Sequence, residues 1–228
     1  MCGRISQARD LMDYYSSLGM PPVEIFKKMP PPKRWNVSPG SEAAVIHQMS
    51  GQPMFEPVFW GYRPQWAIEK KIGMSPNARI EKATTGYYKS MWDRGRAIVP
   101  ADGWYEWTGP KGDKQPWYIK QKSGAPCFMA AITRWKPGAD SSQSNGILIV
   151  TDAAEEGMVD IHDRRPVVLS ADDARMWINL DMPAIEAERL ARNASLPSEA
   201  FEWYQVTREV NKAGNQSPAM VKSIENVS

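Results

Sequence analysis

The chain has 228 residues, with 28 Lys and Arg against 26 Asp and Glu and a formal charge of +2. That balance demands no nucleic-acid partner and leaves room for a local basic groove. No apolar run approaches the roughly 18 residues of a membrane span, and the only cysteines, Cys2 and Cys127, follow no signal-like start, which points to a reducing cytoplasm. Those two cysteines and the two histidines, His47 and His162, show none of the paired spacings of zinc sites, which argues against a metal. Ten tryptophans and 19 prolines favour a loop-rich mixed fold over a helical bundle.

In chain order, Ser6 to Leu18 reads as an early helix with Leu11, Tyr14, Tyr15 and Leu18 on one stripe. The run Met29-Pro30-Pro31-Pro32 ends it in a loop. Trp35 to Gly40 looks like a strand entering a turn; Ala43 to Gln48 and Pro57 to Tyr62 are further strands, the second running into the Pro64-Gln65-Trp66 loop. A polar segment, Asn77 to Glu81, precedes a helix over Thr84 to Asp93. Arg96 to Pro100 and Trp104 to Thr108 read as a pair of strands around the Ala101-Asp102-Gly103 turn. Lys111 to Lys114 is a solvated hairpin tip before the strand Pro116 to Gln121. Cys127 to Thr133 and Gly146 to Thr151 are apolar enough for central strands, and Pro137 to Asn145 has the composition of a surface loop. Ile161 to Pro166 is a polar loop leading into the strand Val167 to Leu169. Ser170-Ala171-Asp172-Asp173 resembles a capping box opening a helix through Ile178, followed by a helix over Pro183 to Ala191 and a strand over Phe201 to Val206. The expected fold is α+β: one compact domain over 1–228, with a strand-rich, barrel-like mixed β core and peripheral helices.

Cys2 carries the most distinctive chemistry. If Met1 is trimmed, Cys2 gains a free α-amine, which titrates near pH 8, beside a thiol, the most nucleophilic side chain at neutral pH. That pair suits an aldehyde: the amine forms a Schiff base and the thiol closes on it to give a thiazolidine. The plainer alternative is a small residue in an ordered or frayed terminus. Glu106, flanked by Trp104, Tyr105 and Trp107, is a general acid or base if buried, and an ordinary strand glutamate if it faces solvent. His162, between Asp160 and Arg165 among acidic and basic neighbours, suits a proton shuttle or a loop histidine held by Asp163. Asn77-Ala78-Arg79 offers an amide for a reacting group and a guanidinium for a phosphate, and Arg4 offers a second guanidinium. Trp60 and Trp66 supply stacking faces for unpaired bases or, more plainly, packing. His47 is assigned no role, and Cys127 reads as a buried small hydrophobe.

Six motifs occur in order: Met1-Cys2-Gly3-Arg4, Asn36-Val37-Ser38-Pro39-Gly40, Trp60-Gly61, Asn77 to Glu81, Pro100 to Trp107, and His162-Asp163-Arg164-Arg165-Pro166. As an ordered set they resemble the SOS-response-associated peptidase family, the abasic-site processing proteins of bacteria and, as a homologous domain, of eukaryotes. The resemblance covers essentially the whole chain. It implies an α+β domain with a basic groove for single-stranded DNA. The implied activity is capture of the ring-opened aldehyde of an abasic site as a thiazolidine DNA–protein crosslink, which shields the lesion during replication or the SOS response. On this reading Cys2 supplies amine and thiol, Asn77 orients the amine or the opened sugar, Glu106 transfers protons, and His162 assists ring opening. Arg4 and Arg79 hold phosphates, and Trp66 stacks on or wedges a base. The resemblance implies no cofactor and no metal, abasic single-stranded DNA as partner, a monomer, a cytoplasmic protein that joins the nucleoid when bound to DNA, and self-removal of Met1 as an autopeptidase step. Lys82 after Glu81, Ala67 after the lone Trp66, and Asn215-Gln216 depart from the family's usual Glu-Thr, paired aromatics and Asn-Asp. The rivals are an N-terminal-nucleophile amidohydrolase or peptidase acting through Cys2, and a non-catalytic single-strand binding module.

Overall fold

The structure is a computed structural model and describes residues 2–20, 32–83 and 86–224. Met29 to Pro31, in the expected loop, and Thr84 and Thr85, in the expected helix, lie outside the described residues. The strands are β1 (Arg4–Gln7), β2 (Arg34–Val37), β3 (Glu42–His47), β4 (Met54–Phe59), β5 (Asn77–Arg79), β6 (Arg96–Ala101) and β7 (Gly103–Thr108). They continue with β8 (Gln115–Gln121), β9 (Cys127–Thr133), β10 (Ile147–Ala153), β11 (Arg164–Pro166), β12 (Val168–Leu169) and β13 (Phe201–Gln205). The helices are α1 (Leu11–Ser17), α2 (Gln65–Glu69), α3 (Ile80–Ala83), α4 (Lys89–Arg94), α5 (Ala171–Ile178) and α6 (Ala184–Asn193).

Five strands form an antiparallel sheet in the order β13-β8-β7-β1-β2. The other eight form a larger sheet, ordered β11-β10-β9-β6-β3-β4, with β12 on β9 and β5 parallel to β10. The larger sheet is buried on both faces, which is why its strands read as continuous apolar runs. Along β9, Cys127, Met129 and Ala131 pack toward the smaller sheet, while Phe128, Ala130 and Ile132 pack toward the helices. On the helical side Trp92 and Trp177 meet edge to face at 5.0 Å beside Tyr14, Tyr15 and Leu18. Between the sheets lie Ile5, Val37, Trp60 and Trp104. The smaller sheet's outer face packs Tyr105 and Tyr118 against Val206, Val210 and Met220 of the C-terminal segment.

Several expectations change: the Pro64-Gln65-Trp66 loop opens the helix Gln65–Glu69, and the Ile161 to Pro166 loop contains the strand Arg164–Pro166. The early helix is shorter: Arg4–Gln7 is a strand, and helix begins at Leu11. Gln7 shows why, because its buried side-chain amide donates to Ala44 O at 3.0 Å and Pro100 O at 2.7 Å, stitching β1 to the larger sheet. The expected pair of strands around Asp102, β6 and β7, is present, and the two belong to different sheets. Asp102 marks the step between them, its carboxylate accepting from the Ala8 amide at 2.7 Å and from Arg9 Nε at 2.8 Å. Gly103 must be glycine there, because a Cβ would lie 2.3 Å from the Ile119 carbonyl oxygen. Finally, the sheets are open and stacked and do not close into a barrel. Among the described residues, no helix is long and apolar enough to cross a membrane.

Candidate active site

The register of β1 on β7 brings the start of the chain to Glu106. Arg4 pairs with Tyr105 and Ile5 with Trp104, so Cys2 lies alongside the next stretch of β7. Strand alternation sets the direction of Glu106: Trp104 belongs to the core between the sheets and Tyr105 to the outer cluster, so Glu106 points inward with Trp104. It is 2% exposed. Of the two sequence readings, the buried one holds. Burial, opposed by the charge and hydrogen bond of the N-terminal amine and reinforced slightly by Asp163, pushes its carboxyl up to about 7.

Cys2 is fully buried. Burial and then the Glu106 carboxylate hold its thiol well above the usual range. Asn77 reaches the same point from the other sheet. It lies on β5, in register with Ile149 of β10, and Ala78 and Ile80 on either side of Arg79 pack into the helix-side core. Asn77 and Arg79 therefore face the opposite way, and Asn77 Nδ2 donates to the Cys2 carbonyl at 2.9 Å. Asn77 Oδ1 is buried with no hydrogen-bond partner among the described residues, a feature that native proteins keep at few positions.

His162 follows the 3-10 turn Glu156–Asp160. Its Nδ1 lies 2.7 Å from Asp163 Oδ1 and 3.1 Å from the Arg164 amide nitrogen. With a proton, Nδ1 donates to Asp163; without one, it accepts from the Arg164 N–H. Burial and then the N-terminal amine, with smaller pushes from Arg164 and Lys114, lower its pKa against the pull of Asp163, which favours the neutral ring near pH 7. Asp163 also acts on Glu106, which brings the His162 loop within electrostatic reach of the Cys2 cluster.

The remaining expected residues divide. Arg79 is exposed on the site-facing side of β5. Arg4 turns to the outer face, where Nη1 donates to Asn36 Oδ1 and Val210 O, both at 2.7 Å, and the guanidinium sits 5.9 Å from the Trp107 ring centroid. There it lines an open cleft with Trp107, Lys114 and Asn211. Trp66, on α2, is 46% exposed and offers a ring to solvent. Trp60 does not: it is fully buried between the sheets, bridges to Ile147, and donates from its indole to Pro76 O at 2.9 Å. Its expected role as a stacking face for bases is therefore corrected to core packing.

The profile of the SOS response associated peptidase (SRAP) family matches residues 1–213. The chain belongs to this family. It is 38% identical over 229 residues to the abasic site processing protein YedK of Escherichia coli, covering 98% of this chain and 100% of that protein. The abasic site processing protein HMCES of Xenopus tropicalis is 27% identical over 224 residues, covering 83% of this chain and 66% of that protein. A crystal structure of a phage-related protein from Bordetella bronchiseptica superposes with a TM-score of 0.78 at 36% identity, covering 91% of this chain and 95% of that one. Within this SRAP site, one pair carried no sequence-level role: Glu81 and Arg164 form a two-pronged ion pair at 2.6 and 2.8 Å. Both lie in motifs that the sequence displays, but nothing in their spacing reveals that they meet.

Proposed function

We propose that, once Met1 is lost, this SRAP chain senses abasic sites in single-stranded DNA and captures them as a covalent thiazolidine on Cys2. The relatives named for abasic site processing support the substrate. The observation that carries the reading is the convergence on Cys2 of the Asn77 amide, at 2.9 Å, and a Glu106 carboxyl with a pKa of about 7.

The chemistry divides among these residues. An abasic sugar is mostly a closed hemiacetal, and His162, neutral near pH 7, moves the proton that opens it to the aldehyde. The Cys2 amine then adds to the aldehyde carbon. Glu106, half protonated near neutral pH, gives the resulting hydroxyl the proton with which it leaves as water. The thiol adds to the iminium carbon and returns a proton to Glu106, so aldehyde, amine and thiol become a thiazolidine and one water. Consuming the imine prevents both its hydrolysis and strand cleavage by β-elimination. Asn77 holds the Cys2 backbone through Nδ2, and its buried Oδ1 accepts from the Cys2 amine or a hydroxyl of the opened sugar.

Arg79, Arg4 and Lys114 supply positive charge for the phosphates, and Trp66 supplies a ring for an unpaired base. A monomer suffices, no cofactor takes part in these steps, and association with the nucleoid follows DNA binding. A general cysteine peptidase needs a thiol poised as thiolate, usually by a neighbouring cation. Here burial and Glu106 act the other way on Cys2, which favours the crosslinking reading over a general peptidase. The test mixes protein whose Met1 is absent by intact mass with single-stranded DNA carrying one abasic site. A heat-stable band on a denaturing gel without reductant, absent with intact DNA and with Cys2→Ala, is expected. No band from protein with a free Cys2 amine overturns the reading and favours an amidohydrolase.

A further inference from the structure

The two polar parts of the site come from short elements. Asn77 and Arg79 lie on β5, three residues paired with β10, and His162 precedes β11, another three-residue strand on β10. Glu81 joins them. It sits on α3 directly after β5, and its carboxylate takes Arg164 Nη1 on Oε1 at 2.6 Å and Nη2 on Oε2 at 2.8 Å. Arg164 Nη2 also donates to Thr151 O on β10 at 2.8 Å, so the guanidinium is held on two elements at once. The backbone amide of the same Arg164 lies 3.1 Å from His162 Nδ1. Arg164 is thus tied at its side chain to the Asn77 segment and at its main chain to the histidine.

An ordinary surface ion pair contributes little. This one differs in two respects. The Arg164 side chain is only 11% exposed, and the fork is bidentate, the geometry in which an Arg–carboxylate pair fixes orientation as well as charge. The paired guanidinium holds the Glu81 carboxyl down at about 2, so the clamp is charged at every physiological pH.

We propose that Glu81 is a positioning residue: through Arg164 it fixes the His162 loop against the Asn77 strand and presents the Arg164 N–H to His162 Nδ1, placing the neutral ring's proton on Nε2. The inference rests on the reading of His162 as the proton-transfer group of the crosslinking reaction. The tautomer is the consequence that a merely structural tie does not require. One acceptor, Asp163 Oδ1 at 2.7 Å, and one donor, the Arg164 N–H at 3.1 Å, compete at Nδ1, and loosening Arg164 leaves Asp163 to win.

The test uses the processed, full-length protein and compares Glu81→Gln and Glu81→Ala with His162→Ala and the double variant Glu81→Ala/His162→Ala. In histidine-labelled wild-type protein, the ring nitrogen chemical shifts of His162 should report a proton on Nε2, and Glu81→Gln should move them toward the Nδ1–H form. The single-turnover crosslinking rate should fall roughly tenfold or more in both Glu81 variants, with little change in affinity for intact single-stranded DNA. On the His162→Ala background, Glu81→Ala should cost nothing further, because both variants act through one group. Unchanged His162 shifts in the folded Glu81→Gln protein would overturn the proposal, as would additive losses in the double variant. Tighter binding of intact DNA with an unchanged rate would also overturn it, making Glu81 a mere counterion for Arg164. A wild type that forms no crosslink defeats the function reading itself, which separates the two failures.

Discussion

Asn77 Nδ2 donates to the carbonyl oxygen of Cys2 at 2.9 Å, across 75 residues of chain. The bond crosses from the larger sheet to the segment ahead of β1, so the buried Cys2 is anchored through its backbone. Replacing Asn77 with Ala removes the anchor and the buried acceptor Oδ1. The expected result is a crosslinking rate lower by roughly tenfold or more and a stability loss of about 1 kcal/mol. Single-turnover gels and chemical denaturation measure the two separately.

Glu106 makes the protein's stability depend on pH. Its carboxyl moves from an ordinary 4.5 to about 7 in the folded chain. Between those values the folded chain keeps a proton that the unfolded chain has released. This contribution is therefore complete below about pH 4.5 and is lost as pH rises through 7, a span of about 3 kcal/mol at most. Urea denaturation should show Glu106→Gln gaining stability relative to wild type on going from about pH 5 to about pH 8. The same variant should crosslink 10²–10⁴-fold more slowly, roughly the usual contribution of a general acid or base.

Two tryptophans test the site boundary. Trp60 is fully buried, so Trp60→Ala should cost about 3–5 kcal/mol of stability. Trp66 is half-exposed on α2, so Trp66→Ala should change stability by less than about 0.5 kcal/mol. Fluorescence anisotropy with single-stranded DNA should instead show it weakening binding by about 1–3 kcal/mol.

What the sequence displayed and what it concealed have physical reasons. β9 was legible from Cys127 to Thr133 because a doubly buried strand is apolar throughout. The N-cap at Ser170 was legible because its hydroxyl partner, the Asp173 amide, is local. β1 was hidden because its pairing partners, β2 and β7, lie far along the chain and only Ile5 marks its inner face. The pair of strands around the Asp102-Gly103 turn was legible, but the change of sheet there was not, because the Asp102 carboxylate is occupied by the distant Ala8 and Arg9. Glu106 stood out by its aromatic neighbours, although its inward direction needed the register with Ile5. Trp60 could be read as a stacking ring or as packing because nothing local shows that its backbone bridges to Ile147 and that its ring lies between the sheets.

The central claim is that both the amine and the thiol of Cys2 are consumed. The chain holds two cysteines, Cys2 and Cys127. The decisive measurement alkylates the isolated adduct under denaturing conditions and counts the groups added by mass spectrometry. A thiazolidine leaves Cys127 as the single reactive thiol, and the adduct should resist borohydride, whereas a Cys2→Ser adduct should survive only after borohydride reduction. Two alkylated cysteines in the wild-type adduct, or a stable adduct from Cys2→Ser without reductant, would contradict the account.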